Sequence, residues 1–328
     1  MGEAAAIFLM SVAACLGVGQ WGIPLLARAQ RMTPVRYEDC PPLLVYHQTK
    51  RAVPTMGGLF VLGVAIAIAA VFGGLSRWEG WVVVTAVDGL AAVGWLDDWL
   101  KFRRPSAAGL PGTPKLLIAL AIGACVGLVM TWQSSGADAL ELPWLRRNVD
   151  VGWGWVPLAM LVVAGCAHAV NLSDGMDGLA AGCVAIALCA IGWLALRAGQ
   201  WALVPWCASF AGACVGFLWF NSFPASVFLG DVGALGLGAA LGTLSLLSHT
   251  ALWLVIVGGV FVVEALSVML QVASYRWRGG RRIFRVAPIH HHFHLGGVAE
   301  PKVIVRFWIL GLILAALALT ATMTHPGR

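Results

Sequence analysis

Four polar clusters interrupt an otherwise apolar sequence, and each has the residue types that phosphate or metal chemistry needs. The first is Asp97-Asp98-Trp99-Leu100-Lys101. Adjacent carboxylates repel unless a cation or a proton relieves them. On a helix, Lys101 lies three and four residues beyond them and faces either one. Two carboxylates and an ammonium at a membrane interface suit a magnesium–phosphate site. A solvated helix end carrying an i,i+4 ion pair fits the same residues.

The second cluster is Asn171-Leu172-Ser173-Asp174-Gly175-Met176-Asp177-Gly178. Gly175 and Gly178 let a ligand or backbone approach closely. Asp177 stands where a helix N-cap would, but a cap does not explain Asp174 and Asn171 together with it. The third runs from Phe220-Asn221-Ser222-Phe223-Pro224-Ala225 to Phe228-Leu229-Gly230-Asp231. Asp231 lies just inside an apolar stretch, where an ionisable side chain is costly and is a functional candidate by default. Mg2+ would relieve that cost, because it binds one or two carboxylates plus phosphate oxygens. Gly238 and Gly242 carry a helix-packing spacing with no chemistry in it. Phe228 reads either as lipid-facing packing or as a ring stacked on a base. The fourth cluster is Pro288-Ile289-His290-His291-His292-Phe293-His294, inside a basic loop. Consecutive histidines do not share one helix face. They suit donors to phosphate oxygens, with a transition-metal site as the other reading. Asp88 and Glu264 read as polar contacts between helices with no catalytic role, and His168 and His249 as structural or interfacial residues.

The elements that must hold these clusters are membrane helices. The 328 residues are 60% hydrophobic and only 11% charged, against about a quarter charged in soluble domains. Apolar runs of about 20 residues are long enough to cross a bilayer. Ten helices are expected, over 4–27, 57–74, 79–96, 114–133, 155–170, 178–197, 200–219, 227–247, 250–275 and 302–324, with a small hairpin within 134–153. The fold class is therefore all-α, a polytopic helical bundle forming one integral membrane domain. The first apolar run is too long, and lacks the basic start, for a cleaved signal peptide. It reads as a retained span. The eight cysteines lack metal-site spacing, and those in apolar runs read as packing residues.

Connections after the odd-numbered helices hold nearly all the motif residues and 16 of the 21 Lys and Arg. The positive-inside rule makes that side cytoplasmic, with both termini facing outward. Some of this basic excess serves to hold the protein against anionic headgroups.

On these residues the chain resembles the polyprenyl-phosphate N-acetylhexosamine-1-phosphate transferase superfamily. Within it, the chain is most similar to the phospho-N-acetylmuramoyl-pentapeptide transferases. The stretches that carry the resemblance are Pro54-Thr55-Met56-Gly57-Gly58, the clusters at 97–101 and 171–178, Phe220 through Asp231, and Ala287 through Phe293. They span about residues 45 to 310. The triple histidine after Ala-Pro-Ile is the most specific, because it separates this family from its GlcNAc-transferring relatives.

The resemblance implies undecaprenyl phosphate as acceptor, UDP-MurNAc-pentapeptide as donor, and lipid I and UMP as products. It implies a Mg2+ cofactor on Asp231, with Asp174 as a second candidate ligand. It also implies a homodimer in the bacterial inner membrane with a cytoplasmic cleft, and no nucleic-acid partner. Asp97 and Asp98 would lie beside the acceptor phosphate, either with Asp97 taking its proton or with a phospho-Asp98 intermediate. Lys50, Thr55, Asn171, Asp174, Gly175, Met176, Asp177, Asn221 and Phe228 would hold the nucleotide end, Phe228 against uracil. Gln271 matches a position near the nucleoside. Lys101, His290, His291 and His292 would meet phosphates and the peptide side. Three departures stand out: His294 replaces an expected glutamate, Ala234 an expected serine, and no tryptophan precedes Glu300. A histidine at 294 would add acid sensitivity.

The nearest alternative is the same chemistry on UDP-GlcNAc. A transporter would place its carboxylates near the midplane of matching halves, which this sequence lacks. A catalytically dead scaffold would have lost carboxylates that are all present here.

Overall fold

The computed structural model describes residues 2–30, 53–103, 109–133, 139–143 and 147–323. Twelve helices are described: α1 (Gly2–Ala29), α2 (Gly58–Val71), α3 (Trp78–Arg103), α4 (Gly112–Gln133), α5 (Trp155–Ser173), α6 (Leu179–Arg197), α7 (Val204–Asn221), α8 (Gly230–Leu247), α9 (Leu254–Val257), α10 (Gly259–Trp277), α11 (Ile289–His294) and α12 (Glu300–Met323). Among the described residues, nine helices are long and apolar enough to cross a membrane. The tenth expected span is α2. It has 14 residues and so rises about 21 Å, short of a hydrocarbon core of about 30 Å. It stops at Gly73, whose φ of +78° turns the chain out of the helix.

The expected helix over 250–275 is instead divided into α9 and α10 at Gly258. Two adjacent glycines there have no side chains to pack across the turn, a common cause of a break. In the other direction, α3 runs on to Arg103 and keeps Asp97, Asp98 and Lys101 helical. The expected hairpin is present as two antiparallel four-residue strands, β1 (Ala139–Leu142) and β2 (Arg147–Asp150), with Leu140 opposite Val149.

The core is built around α8, every residue of which is buried. It packs chiefly against α3 and α5. Its small side chains let backbones meet, the usual means of helix association where no hydrophobic drive operates. The Gly238/Gly242 pair rests on α5 at Cys166–Ala167 and Val162–Val163, the packing role its spacing suggested. At Gly94 of α3 an added Cβ would lie 2.3 Å from the carbonyl oxygen of Asp231. Gly94→Leu should therefore force α3 from α8 at a cost of about 3 kcal/mol. Thermal unfolding of the purified variant should show a clearly lowered midpoint; an unchanged midpoint would refute this crossing.

The outer helices turn large apolar side chains outward, among them Leu9, Leu161, Met269 and Leu312. Exposed tryptophans lie toward both ends of the bundle: Trp81, Trp132 and Trp201 at one, Trp219 and Trp277 at the other. That is the distribution of aromatic belts at two membrane surfaces. Because consecutive long helices alternate in direction, the C-terminal ends of α3, α5 and α7 and the N-terminal ends of α4, α6 and α8 gather at one end. All four motif clusters lie there.

Candidate active site

Asp97 and Asp98 are both buried near the C-terminal end of α3, and Asp231 is buried in the first turn of α8. A helix N-terminus favours a negative charge through its unpaired N–H groups, which helps Asp231 tolerate its depth. The three side chains offer oxygens that all lie within 4.8 Å of one another. Alone, three such carboxylates would repel strongly. Two lysines hold them together. Lys101 Nζ contacts Asp97, lies 3.1 Å from Asp231 and 4.0 Å from Asp98. Lys115 Nζ, from the first turn of α4, lies 3.2 Å from Asp97 and 3.3 Å from Asp231.

Neutral donors add to the set. The Asn171 amide donates to Asp231 Oδ1 at 3.1 Å, the Leu110 N–H to Asp97 Oδ1 at 2.5 Å, and the Val232 N–H to Asp98 Oδ2 at 3.2 Å. Gly230 makes this approach feasible. Its φ is +77°, and an added Cβ would stand 2.7 Å from Asp98 Oδ2 and 2.8 Å from the Thr55 hydroxyl. Thr55 itself is anchored by backbone bonds to the Gln30 side chain, and its buried hydroxyl has no hydrogen-bond partner among the described residues.

The donor set suits a hard dication. Mg2+ takes oxygen ligands at about 2.0–2.1 Å in a near-octahedral shell, so oxygens already within 4.8 Å need only small shifts. Among the described residues, three carboxylates face two ammoniums here. The carboxylates that converge with Asp231 are Asp97 and Asp98. Asp174, expected as a second ligand, is half-buried at the end of α5 and is not part of that group.

Beside this centre, the 171–178 cluster ends α5 with Asn171 to Ser173 and turns tightly over 174–178 into α6. Met176 is buried. Gly175 faces the histidines: an added Cβ would lie 2.4 Å from His290 Nε2 and 3.1 Å from His291 Nε2. Asp177 Oδ2 accepts from the Ala225 N–H at 3.0 Å, and the Asp177 N–H donates to Glu300 at 3.1 Å. The helix N-cap is Gly178, in the left-handed conformation. Its N–H donates to Asn221 Oδ1 at 3.0 Å, while the Asn221 amide donates to the Val227 carbonyl at 2.8 Å. Asp177 and Asn221 thus pin the 222–228 loop to the turn. Phe228 is half-buried on that loop, and its backbone pairs with Pro54 and Gly57.

His292 turns away from the other two histidines. His290 and His291 are fully buried, with His290 Nδ1 lying 3.1 Å from Glu264. His292 Nδ1 accepts the Arg285 N–H at 3.1 Å. His294 lies 3.2 Å from the Val298 carbonyl. Gln271 bonds through its amide to the backbone of Ile283 and Phe284. It also lines a cavity of about 310 Å³ with Tyr275, Arg276 and Arg282. Lys50 lies outside the described residues.

Lys115 and Glu264 were not among the expected site residues. Lys115 carries the only formal charge of α4, and a lone charge in a membrane helix is the signal that marks it. Glu264 offered the same signal, but nothing in its own helix names its partner.

Residues 80–249, which include all three carboxylate-bearing clusters, match the family described as Glycosyl transferase family 4. Three relatives are each named phospho-N-acetylmuramoyl-pentapeptide-transferase. That of Thermodesulfovibrio yellowstonii is 43% identical over 291 residues, covering 83% of this chain and 81% of its own. That of Citrifermentans bemidjiense is 42% identical over 321 residues, covering 92% and 88%. That of Methylacidiphilum infernorum is 38% identical over 335 residues, covering 95% and 91%. With its buried carboxylate centre and this similarity over nearly its whole length, the chain belongs to the phospho-N-acetylmuramoyl-pentapeptide transferase family.

Proposed function

We propose that the chain transfers phospho-MurNAc-pentapeptide from UDP-MurNAc-pentapeptide to undecaprenyl phosphate, giving lipid I and UMP. The observation that carries this reading is the junction of three buried carboxylates and two lysines at one end of an apolar bundle. An oxygen of the lipid phosphate attacks the phosphorus that bears the sugar. The bond from that phosphorus to the bridging oxygen breaks, and the oxygen leaves with UMP. Such transfer depends on positioning and charge neutralisation more than on covalent help.

Mg2+ would be held by Asp231 with Asp97 and Asp98, and when bound it would offset charge on the diphosphate and the leaving UMP. Lys101 and Lys115 are within reach of the same space and suit phosphate oxygens. Asp97 and Asp231 orient both ammoniums. A phosphate monoester loses its second proton near about pH 6, so the acceptor is largely dianionic at neutral pH and needs placing more than deprotonating. The nucleotide would lie along the turn at 174–177 and the loop at 221–228, with the Phe228 ring on uracil. Phe228→Ala should raise the donor KM about tenfold, the worth of one stacked base at about 1–3 kcal/mol, and Phe228→Trp much less. Equal effects of the two in steady-state kinetics would rule out stacking.

The catalytic end would face the cytoplasm, as the basic loops support, with the bilayer meeting the apolar flanks. The family resemblance supports a homodimer. Donor choice is tested by supplying UDP-MurNAc-pentapeptide and UDP-GlcNAc in competition. Lipid-linked MurNAc-pentapeptide alone is the expected product, and lipid-linked GlcNAc would overturn the reading.

A further inference from the structure

Asp88 lies near the middle of α3, on its outward face, and is exposed. By helix rise it is about 10 Å along the axis from Trp81 and about 14 Å from Asp97 at the catalytic end. Trp81 belongs to the aromatic belt at the opposite surface, so Asp88 sits close to mid-membrane depth. A carboxylate there is costly, and such groups almost always face a bundle interior or a water-filled cavity. Asp88 faces outward instead. Its single methylene cannot carry the charge to either surface as the long stems of Lys and Arg do. Among the described residues, no hydrogen bond or ion pair reaches it. The hydroxyl of Thr85, one turn away, bonds to carbonyls of its own helix, at 2.8 Å to Trp81 and 3.1 Å to Val82.

From Trp78 to Trp95 the exposed positions of α3 are Trp81, Thr85, Asp88, Ala92 and Trp95. Their alternating spacing of four and three makes one narrow seam, the width of a single helix laid alongside. Thr85 and Ala92 flank Asp88 with small side chains, which let a second backbone come close. Without Asp88 the same seam would suit lipid. The carboxylate is what calls for a protein partner, because lipid chains offer it neither a cation nor a donor.

We propose that this face of α3 docks one transmembrane helix of another protein, with a lysine or arginine at that helix's centre paired to Asp88. Charge complementarity selects this occupant over a second copy of the chain. In the long helices described, every Lys and Arg lies within two turns of a helix end. A second copy therefore brings no ammonium or guanidinium to mid-membrane depth, and a twofold contact through this seam would set Asp88 against Asp88. The contact that Asp88 makes between helices is thus with a helix outside this chain. Asp88 is remote from the carboxylate centre, so the docking surface stands apart from the proposed reaction.

The test places the full-length protein in nanodiscs of phosphatidylglycerol and phosphatidylcholine with a synthetic Leu/Ala transmembrane peptide. The peptide carries one central Lys and a photoreactive group one turn away; a control peptide has Leu in place of the Lys. Cross-linked positions are mapped by mass spectrometry. From the strength of polar contacts between model membrane helices, the Lys peptide should label α3 between 81 and 96 about five- to thirtyfold more than the control. Asp88→Asn, near-isosteric and checked for folding by its thermal unfolding midpoint, should reduce labelling by the Lys peptide to the control level. Asp88→Lys should reverse the preference, toward a peptide with a central Asp. Equal labelling by the Lys and Leu peptides, or labelling by the Lys peptide that survives Asp88→Asn, would overturn the proposal and leave this face to lipid. A disulfide between two copies of an Ala92→Cys variant, formed in preference to peptide capture, would overturn it in favour of a second copy.

Discussion

Asp231→Asn is expected to lower kcat by about 10³-fold, the upper range for removing one group that stabilises developing charge. Among the described residues, nitrogens of Lys101 at 3.1 Å and Lys115 at 3.3 Å meet Oδ2 of this carboxylate, and Asn171 at 3.1 Å meets Oδ1. Asparagine keeps the volume but offers one acceptor oxygen in place of two. Whichever way its amide turns, an NH2 faces either the Asn171 amide or the two ammoniums. The substitution therefore removes a charge from the proposed Mg2+ site and also misplaces both lysines. Steady-state release of UMP measures the effect, and raising Mg2+ should not restore it. A variant within tenfold of wild type would mean that Asp231 holds neither the ion nor the lysines.

Lys101→Met should be nearly as damaging to turnover, about 10²-fold or more, and should cost stability as well. Its ammonium contacts Asp97 and Asp231 and also lies 4.0 Å from Asp98. Methionine retains most of the stem volume, so most of the packing around the stem survives. What is lost is charge. Stranding a buried carboxylate by deleting its partner costs about 3–5 kcal/mol. Lys101 is partly exposed and Lys115 still serves Asp97 and Asp231, so the lower end is expected. Because the destabilising term is carboxylate repulsion, Mg2+ should raise the unfolding midpoint of Lys101→Met more than that of wild type. An equal response to Mg2+ in both proteins would place the ion away from these three carboxylates.

The parts of the site that were legible in the sequence are those set by local geometry. Asp97, Asp98 and Lys101 share one helix, so their spacing alone brings them together. Asp231 was visible because a charge just inside an apolar run needs a reason. The expected helices were likewise readable as apolar runs, and their alternation brought the motifs to one end. What was not legible depends on contacts between distant segments. Lys115 meets Asp231 across 116 residues of sequence, and α4 shows only that a charge is present. The identity of the carboxylates that group with Asp231 was also tertiary: Asp97 and Asp98 reach it through the α3–α8 crossing at Gly94, whereas Asp174, which caps α5, is outside that group.

The histidine run shows the same limit. Successive residues of a helix point about 100° apart, so the three histidines cannot all share one target: His290 and His291 both come close to Gly175, while His292 turns to the Arg285 N–H. Which one turns toward Glu264 follows from how α11 docks on α10. The division of the expected 250–275 helix at Gly258 was hidden for a different reason. A glycine pair is tolerated in membrane helices, and only the packing around it determines whether the helix breaks.

The central claim is a Mg2+-dependent transfer to a lipid phosphate at the Asp97–Asp98–Asp231 centre. Its most direct test is UMP release from UDP-MurNAc-pentapeptide by the purified full-length protein, with and without undecaprenyl phosphate and Mg2+. Release that requires both additions, and that falls to background in Asp231→Asn, is the expected result. Release independent of the lipid, or retained by Asp231→Asn with the ion chelated, would contradict it.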